Sequence, residues 1–428
     1  MGFLLLSEVN MKRFLVFELI IGVLLSALFC GCLNQSQPVT LKEKEANKKI
    51  TLMVYMAADN DLEGYALNNL KQLENGKNEN INVLVLLDRA DGYDETEGNW
   101  TDTRLFEVIH DKGSGAALKS KRLDCPPLGL SATQNTELDM ANSLVLKNFI
   151  EYSKEAYKAE NYVLIIWGHG NGWRAVTIDE RSSSYMSVHD LGQAVLGQGL
   201  CVIGFDTCFG GVIENLYELK NCAEYTVATP GITPSGGWNY KNLLESFNEE
   251  NITPDYISRK MAENSAGQTC IFLNEKLNSL MDSFEYFSMT LAQEITDSSS
   301  QTSVFQELLE CKSFSYSQYP CDLYLEINSF ADLYFQKGNA QVSGAAEKLK
   351  KELQDCVFYA DGSRGNIGVH FTEKPSAGTV VGIHSADYKR NPSNANQNLF
   401  IKESQWWVPT ATGASGSLLD KLFYTNFD

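Results

Sequence analysis

Basic residues are scarce: 35 Lys and Arg stand against 54 Asp and Glu in 428 residues, a formal charge of -19. No stretch is rich in Lys or Arg. A surface of that sign repels a phosphate backbone, which sets nucleic acid aside as a partner. The ten cysteines include no C-x-x-C pair, so neither a zinc site nor a dense disulfide scaffold is indicated. Only Cys311 and Cys321 are spaced for a local bridge. No phosphate-binding P-loop is present, and Gly168-x-Gly170 lacks the third glycine of a dinucleotide fingerprint, its place being taken by Trp173. Internal repeats and low-complexity tracts are absent too, which removes solenoids and fibrous arrays. What is plentiful is apolar material: 43% of residues are hydrophobic, enough for a large core, so global disorder is excluded.

The apolar run 14–29 follows Lys12 and Arg13 and is interrupted by Glu18. It is shorter than the roughly 20 residues a membrane-spanning helix needs, which excludes a multi-pass membrane protein. With the small-residue site Gly31-Cys32 behind it, the run reads as an export signal. Gly31-Cys32 resembles the end of a bacterial lipoprotein signal, which implies a lipid on Cys32 and a protein facing the cell exterior or periplasm, with no other membrane contact. Residues 1–32 are thus the expected export segment and 33–49, largely polar, the expected tether.

From residue 50 onward, β-branched apolar runs (51–56, 81–87, 104–109, 162–167, 201–205, 225–229) alternate with helical patterns (62–73, 136–152, 188–196, 210–220). That rhythm predicts an α/β fold with a mostly parallel central sheet covered by helices. Residues 241–428 are richer in helical patterns (254–265, 276–295, 304–310, 323–336, 345–356), with closing strands at 367–371 and 379–383. No linker separates them from residues 50–240, so they are expected to complete the same domain.

In open α/β sheets, ligands lie beyond the carboxyl ends of the strands. Two strand ends carry chemistry. The apolar run 162–167 delivers His169 into a turn flanked by Gly168 and Gly170; the run 201–205 ends in Asp206-Thr207-Cys208 before a helix expected near Gly210. A cysteine at a helix N-terminus sits in a positive field that favours its thiolate. The two residues are 39 positions apart, room for one crossover helix between adjacent parallel strands. A Cys208–His169 dyad follows: the sulfur attacks a carbonyl, the imidazole protonates the leaving amine, and the Gly170 and Cys208 amides hold the oxyanion. His189 begins an expected helix, His370 lies inside an apolar strand, and His110 and His384 have no nearby nucleophile; all four are read as structural or surface residues.

The order Trp167-Gly168-His169-Gly170 with Gly172-Trp173, then Asp206-x-Cys208-x-Gly210, resembles the clostripain family of cysteine endopeptidases. The segment 55–63 and Gly236-Gly237-Trp238-Asn239-Tyr240 are similar to further motifs of that family. The resemblance implies a caspase-like α/β/α sandwich, His169 and Cys208 as the dyad, and Asp206 as a carboxylate lining the pocket for a basic side chain. It also implies processing at an internal basic site, for which Arg174, Arg181 and Lys220 are candidates, and calcium dependence in some members. The chain departs from the pattern at 228–235, where acidic residues are common in the family and none occurs here.

Asp59, Asn60 and Asp61, where the first strand should end, are candidates for supporting the site or binding a cation, or equally for capping the next helix; three adjacent polar residues do not make a calcium loop. No residues are spaced as metal ligands and no cofactor is required by anything in the sequence; calcium enters by the resemblance alone. The expectation is an exported cysteine endopeptidase acting on protein or peptide substrates. Two other readings stay open: a non-catalytic surface protein that binds peptides or glycans on the same fold, and an amidase or transpeptidase using the same dyad.

Overall fold

The structure is a computed structural model that describes residues 48–76, 78–110, 117–315, 321–374, 388, 394–406 and 417–423. The export segment with Cys32, the tether up to residue 47, His384 and the strand expected at 379–383 lie outside the described residues.

Strand β1 (Lys48–Ala58) is buried along all but its first two residues, as a central strand covered on both faces must be. The chain continues through α1 (Glu63–Asn75), β2 (Ile81–Arg89), β3 (Arg104–Glu107), β4 (Lys121–Leu123), α2 (Ser143–Ala156) and β5 (Ala159–Trp167). A hairpin of β6 (Val176–Asp179) and β7 (Ser184–Met186) precedes α3 (Val188–Val195), β8 (Val202–Asp206), α4 (Ile213–Glu218) and β9 (Tyr225–Ala228). Then come α5 (Tyr240–Ser246), α6 (Pro254–Glu263), β10 (Cys270–Leu273), α7 (Leu277–Ala292) and α8 (Ser298–Glu310). The remainder comprises β11 (Ser313–Phe314), β12 (Cys321–Glu326), α9 (Ile327–Lys337), α10 (Ala340–Cys356), β13 (Val357–Phe358), β14 (Gly368–Lys374), α11 (Leu399–Glu403) and α12 (Leu418–Phe423).

Nine strands form one sheet in the order β13-β10-β9-β8-β5-β1-β2-β3-β4. The middle five, β9 to β2, pair in parallel, and the outer strands are antiparallel. The α/β expectation with a mostly parallel sheet therefore holds. One face packs Leu52, Val54, Met56, Val163, Ile165 and Trp167 against the apolar sides of α1, α5 and α6. Two of the helices, α2 and α6, start where a side chain satisfies a first-turn amide: Asn142 accepts from Leu144 N, and Thr253 accepts from Tyr256 N ahead of Pro254.

Three sequence expectations need correction. The helix predicted at 323–336 begins as strand β12, because Leu323, Tyr324 and Leu325 pair with β14; helix starts only at Ile327. Cys311 is an unbridged thiol, so the local disulfide is not formed. The helix expected from Gly210 starts three residues later, at Ile213, and is only six residues long. Among the described residues, no helix is long and apolar enough to cross a membrane.

Candidate active site

Three neighbouring parallel strands, β1, β5 and β8, end together at one edge of the sheet, with Met56 beside Trp167 and Trp167 beside Asp206. The chain leaves β1 for β2 on one side and returns to β5 on the other. This reversal is the topological switch point where open α/β sheets hold their ligands. A cleft of roughly 200 Å³ lies there, lined by Leu62, Trp167, His169, Asp206, Cys208 and Thr233 among others. Sites that enclose a drug-sized molecule run to roughly 300–1,000 Å³, so this one suits a single side chain of a longer substrate.

The turn bearing His169 is pressed against its neighbours. A Cβ on Gly168, which sits at φ +138°, would lie 2.8 Å from the Ala57 carbonyl oxygen. A Cβ on Gly170 would lie 2.4 Å from the Cys208 carbonyl oxygen and 2.9 Å from the Thr207 side chain. Both glycines are therefore required for the β5 and β8 ends to close on each other. His169 Nε2 lies 2.6 Å from Asp61 Oδ1, which leaves Nδ1 as the ring nitrogen without that partner. The pair is partly solvated, with side chains 35% and 60% exposed.

The turn bearing Cys208 is held by the segment after β9. Phe209 N donates to Gly231 O at 2.7 Å, Gly211 N to Thr229 O at 2.8 Å, and Thr233 Oγ1 to Thr207 O at 2.8 Å. Thr233 N donates to Cys208 Sγ at 3.4 Å, and the thiol faces Thr233 O at 3.7 Å. Phe209 takes a left-handed conformation, φ 54°, an unusual state for a bulky residue that directs the chain sharply past Cys208. Because α4 starts at Ile213, Cys208 is not at a helix N-terminus, and the helix-field argument from sequence does not apply.

Asp206 forms the wall of the cleft next to Cys208. It is 4% exposed. Its Oδ2 accepts from Trp238 N at 3.1 Å and from Tyr240 Oη at 2.8 Å, while Oδ1 is buried without a partner. Burial pushes its pKa from 3.8 up to about 7, against the pull of those two hydrogen bonds. Gly237 leaves the space: a Cβ there would sit 2.7 Å from Asp206 Oδ2. The segment 232–235, which also lines the cleft, carries no acid.

Asp59 and Asn60 do not line the cleft. Asn60 ties the loop down, donating to Ala57 O and Ile178 O and accepting from Leu62 N. Asp59 joins Asp88 and Asp179 in a buried acidic group. Of the three polar residues the sequence offered at the end of the first strand, the one that reaches His169 is Asp61. His189 pairs with Glu218 and His370 is buried in β14. Arg181, between β6 and β7, bonds Thr101 O and Glu137.

A model of the clostripain family matches residues 54–407. Clostripain of Hathewaya histolytica is 29% identical over 258 residues, 52% of this chain and 48% of that protein; the chain thus spans about half the length of this curated relative. Among solved structures, a secreted C11 cysteine protease from Bacteroides thetaiotaomicron, in complex with an irreversible peptide inhibitor, superposes with a TM-score of 0.54 at 16% identity, over 84% of this chain and 98% of that one. An inactive zymogen C11 protease from Parabacteroides distasonis gives a TM-score of 0.54 at 18% identity, over 78% and 92%. At these identities the structural likeness speaks for the caspase-like fold alone.

Proposed function

Since the chain belongs to the clostripain family, we propose that it is an exported cysteine endopeptidase that cleaves peptide bonds after basic residues, with His169 and Cys208 as its dyad. The observation that carries this reading is the shared cleft: the His169 and Cys208 turns meet there beside Asp206, whose buried Oδ1 has no partner. A buried carboxylate oxygen left unsatisfied costs free energy. A Lys or Arg side chain of the substrate would supply the missing donor and counter-charge together.

The chemistry follows from the arrangement. Cys208 passes its proton to His169 and its sulfur attacks the carbonyl carbon after the basic residue. The carbonyl oxygen takes the charge, which the Gly170 and Cys208 main-chain amides are suited to hold. The imidazolium then protonates the departing amine as the C–N bond breaks, leaving a thioester. Water attacks the thioester, His169 takes its proton, and the acid is released as the thiol is restored. Asp61 keeps the imidazole in one orientation through Nε2, so that Nδ1 serves the exchange with sulfur.

The tight contact of Gly170 with Cys208 O, and the Thr233 amide on Sγ, support a site built around the sulfur rather than a cysteine that merely fills space. Export, with a lipid on Cys32 as the membrane anchor, rests on the N-terminal sequence, and one structural relative is itself secreted. Residues 241–428 are taken to complete the peptidase domain, since β10 and β13 extend the same sheet. The reading is tested by profiling the wild-type protein on a mixed peptide library: cleavage after Arg and Lys is expected. A protein that binds peptides and leaves them all uncut, or one that transfers the acyl group only to added amines, would overturn it.

A further inference from the structure

A second, smaller sheet, β11-β12-β14, touches the chain that follows each of the two dyad residues. Strand β14 reaches the Cys208 turn through its main chain: Gly368 N donates to Gly211 O at 3.2 Å, and Gly368 pairs with Val212 in an isolated parallel bridge. Strand β12 reaches it through a side chain. Tyr324, 1% exposed, stacks on Phe209 with ring centroids 5.4 Å apart and planes 28° apart. The same tyrosine meets the other turn. Its hydroxyl oxygen accepts from Trp173 N at 3.3 Å, and a Cβ on Gly172, which sits at φ +57°, would overlap that hydroxyl. The Trp173 ring in turn packs on His370 of β14 and edge-on against Tyr388.

These contacts matter because Phe209 directly follows Cys208 and is left-handed, φ 54°. A bulky residue in that state is disfavoured roughly 5- to 150-fold and persists only where its surroundings over-determine it. Here the amide is fixed by Gly231 O, the carbonyl by Asn215 Nδ2 at 3.2 Å, and the ring by Tyr324. On the other side, Gly172 and Trp173 follow His169 within one short loop. One buried tyrosine therefore bridges the chain just after the sulfur and the chain just after the imidazole. It does not itself line the cleft.

We propose, on the His169–Cys208 reading above, that Tyr324 is a positioning residue for the dyad. It keeps Phe209 in its left-handed state and ties that residue to the loop after His169, so that sulfur and imidazole face each other in one geometry. Because Tyr324 stands outside the cleft, it acts on the chemical step and not on the binding of the substrate's basic side chain. Strand β12, from the C-terminal part of the chain, thereby shapes a site whose lining residues all come from the N-terminal part.

The test compares Tyr324→Phe and Tyr324→Leu in the full chain, each also made in a Phe209→Gly background, with melting temperatures to show that the variants fold. Two quantities are read: kcat and KM on a peptide with Arg at P1, and the rate at which iodoacetamide alkylates Cys208, located by peptide mapping. Tyr324→Phe keeps the ring and loses the bond to Trp173 N, so kcat should fall roughly three- to tenfold. Tyr324→Leu loses the ring contact as well and should lower kcat roughly 10- to 100-fold, with KM within about twofold of the parent. Alkylation at about pH 6, where an unpaired thiol is protonated, should fall by the same factor, while the rates at about pH 9.5 agree. A tyrosine with only a structural role would lower the melting temperature and leave that ratio of rates unchanged. In Phe209→Gly, Tyr324→Leu should cost no more than Tyr324→Phe does, since glycine takes positive φ unaided and no ring remains to be held. A folded Leu variant with parental kcat, a defect confined to KM, or the full Leu penalty in the Phe209→Gly background would overturn the proposal and leave the dyad in place. Should the Leu variant not fold, Tyr324→Phe decides: unchanged kcat and unchanged alkylation at about pH 6 would overturn it. A parent that alkylates at Cys208 and cuts no peptide refutes the endopeptidase reading alone, and the alkylation ratio still decides on Tyr324. A parent without Cys208 reactivity at about pH 6 removes the dyad and the role of Tyr324 together.

Discussion

Replacing Asp206 by Asn should make the protein more stable and less active at once. In the folded chain burial raises this carboxyl from 3.8 to about 7, whereas the unfolded chain leaves it near the ordinary value. Between those limits the folded state holds more protons than the unfolded one, so stability falls as pH rises through the interval and the full penalty is present above pH 7. At about 1.4 kcal/mol per pH unit, three units amount to about 4 kcal/mol at pH 8. Asn cannot ionise, and its oxygen can still accept from Trp238 N and Tyr240 Oη, the two bonds that Oδ2 makes now. Its NH₂ would replace the orphan Oδ1 and lack an acceptor, at a cost of about 1–3 kcal/mol. The net gain expected at pH 8 is therefore about 1–3 kcal/mol, shrinking or reversing at pH 5, measured by urea unfolding of both proteins at the two pH values. Activity should move the other way. Removing one partner of a buried charge pair costs about 3–5 kcal/mol, or roughly 100- to 5,000-fold in kcat/KM for substrates with Arg at P1. An Asn variant that is less stable at pH 8, or that cleaves after Arg as well as the parent, would refute the reasoning.

On the proposed reading the same carboxyl sets a pH signature in the unmodified protein: the ratio of kcat/KM for Arg over Leu at P1 should fall as pH drops through about 7, because protonation would remove the charge proposed to meet the basic side chain. Taking the ratio cancels the titration of the dyad. Asp61→Ala should lower kcat less than tenfold and leave KM unchanged, since an ion pair this exposed is worth about 1 kcal/mol or less; steady-state kinetics on one peptide suffices to check it. Gly170→Ala would place a methyl 2.4 Å from the Cys208 carbonyl oxygen, forcing the two turns apart. Near-complete loss of cleavage is expected, with a stability loss of about 1–3 kcal/mol from the overpacking, read by activity and urea unfolding in parallel.

The two strand ends that matter most were legible because each is an apolar β-branched run terminated by small and polar residues: 162–167 into Gly168-His169, and 201–205 into Asp206-Thr207-Cys208. Their adjacency followed from the length of chain between them. What escaped the sequence depended on pairing at long range. Cys270–Leu273 is four residues long and becomes a strand only by lying against β9. The turn 207–211 resists helix because Phe209 and Gly211 bond back to Gly231 and Thr229, contacts with no local signature, and Gly210 and Gly211 are poor helix formers. Asp88 meets Asp59 through the β1–β2 register, across a gap that no motif spans. Asp61 and Asp59 were indistinguishable as neighbours in one polar run until the path of the loop separated them.

The central claim is that Cys208 is the nucleophile of a peptidase directed to basic residues. It is tested most directly by intact-mass analysis after incubation with a thiol-reactive peptide bearing Arg at P1. One adduct per chain, located on Cys208, absent from Cys208→Ala and formed far faster than with Leu at P1, is the predicted result. Labelling that persists in Cys208→Ala, or that falls on any other of the cysteines, would contradict it.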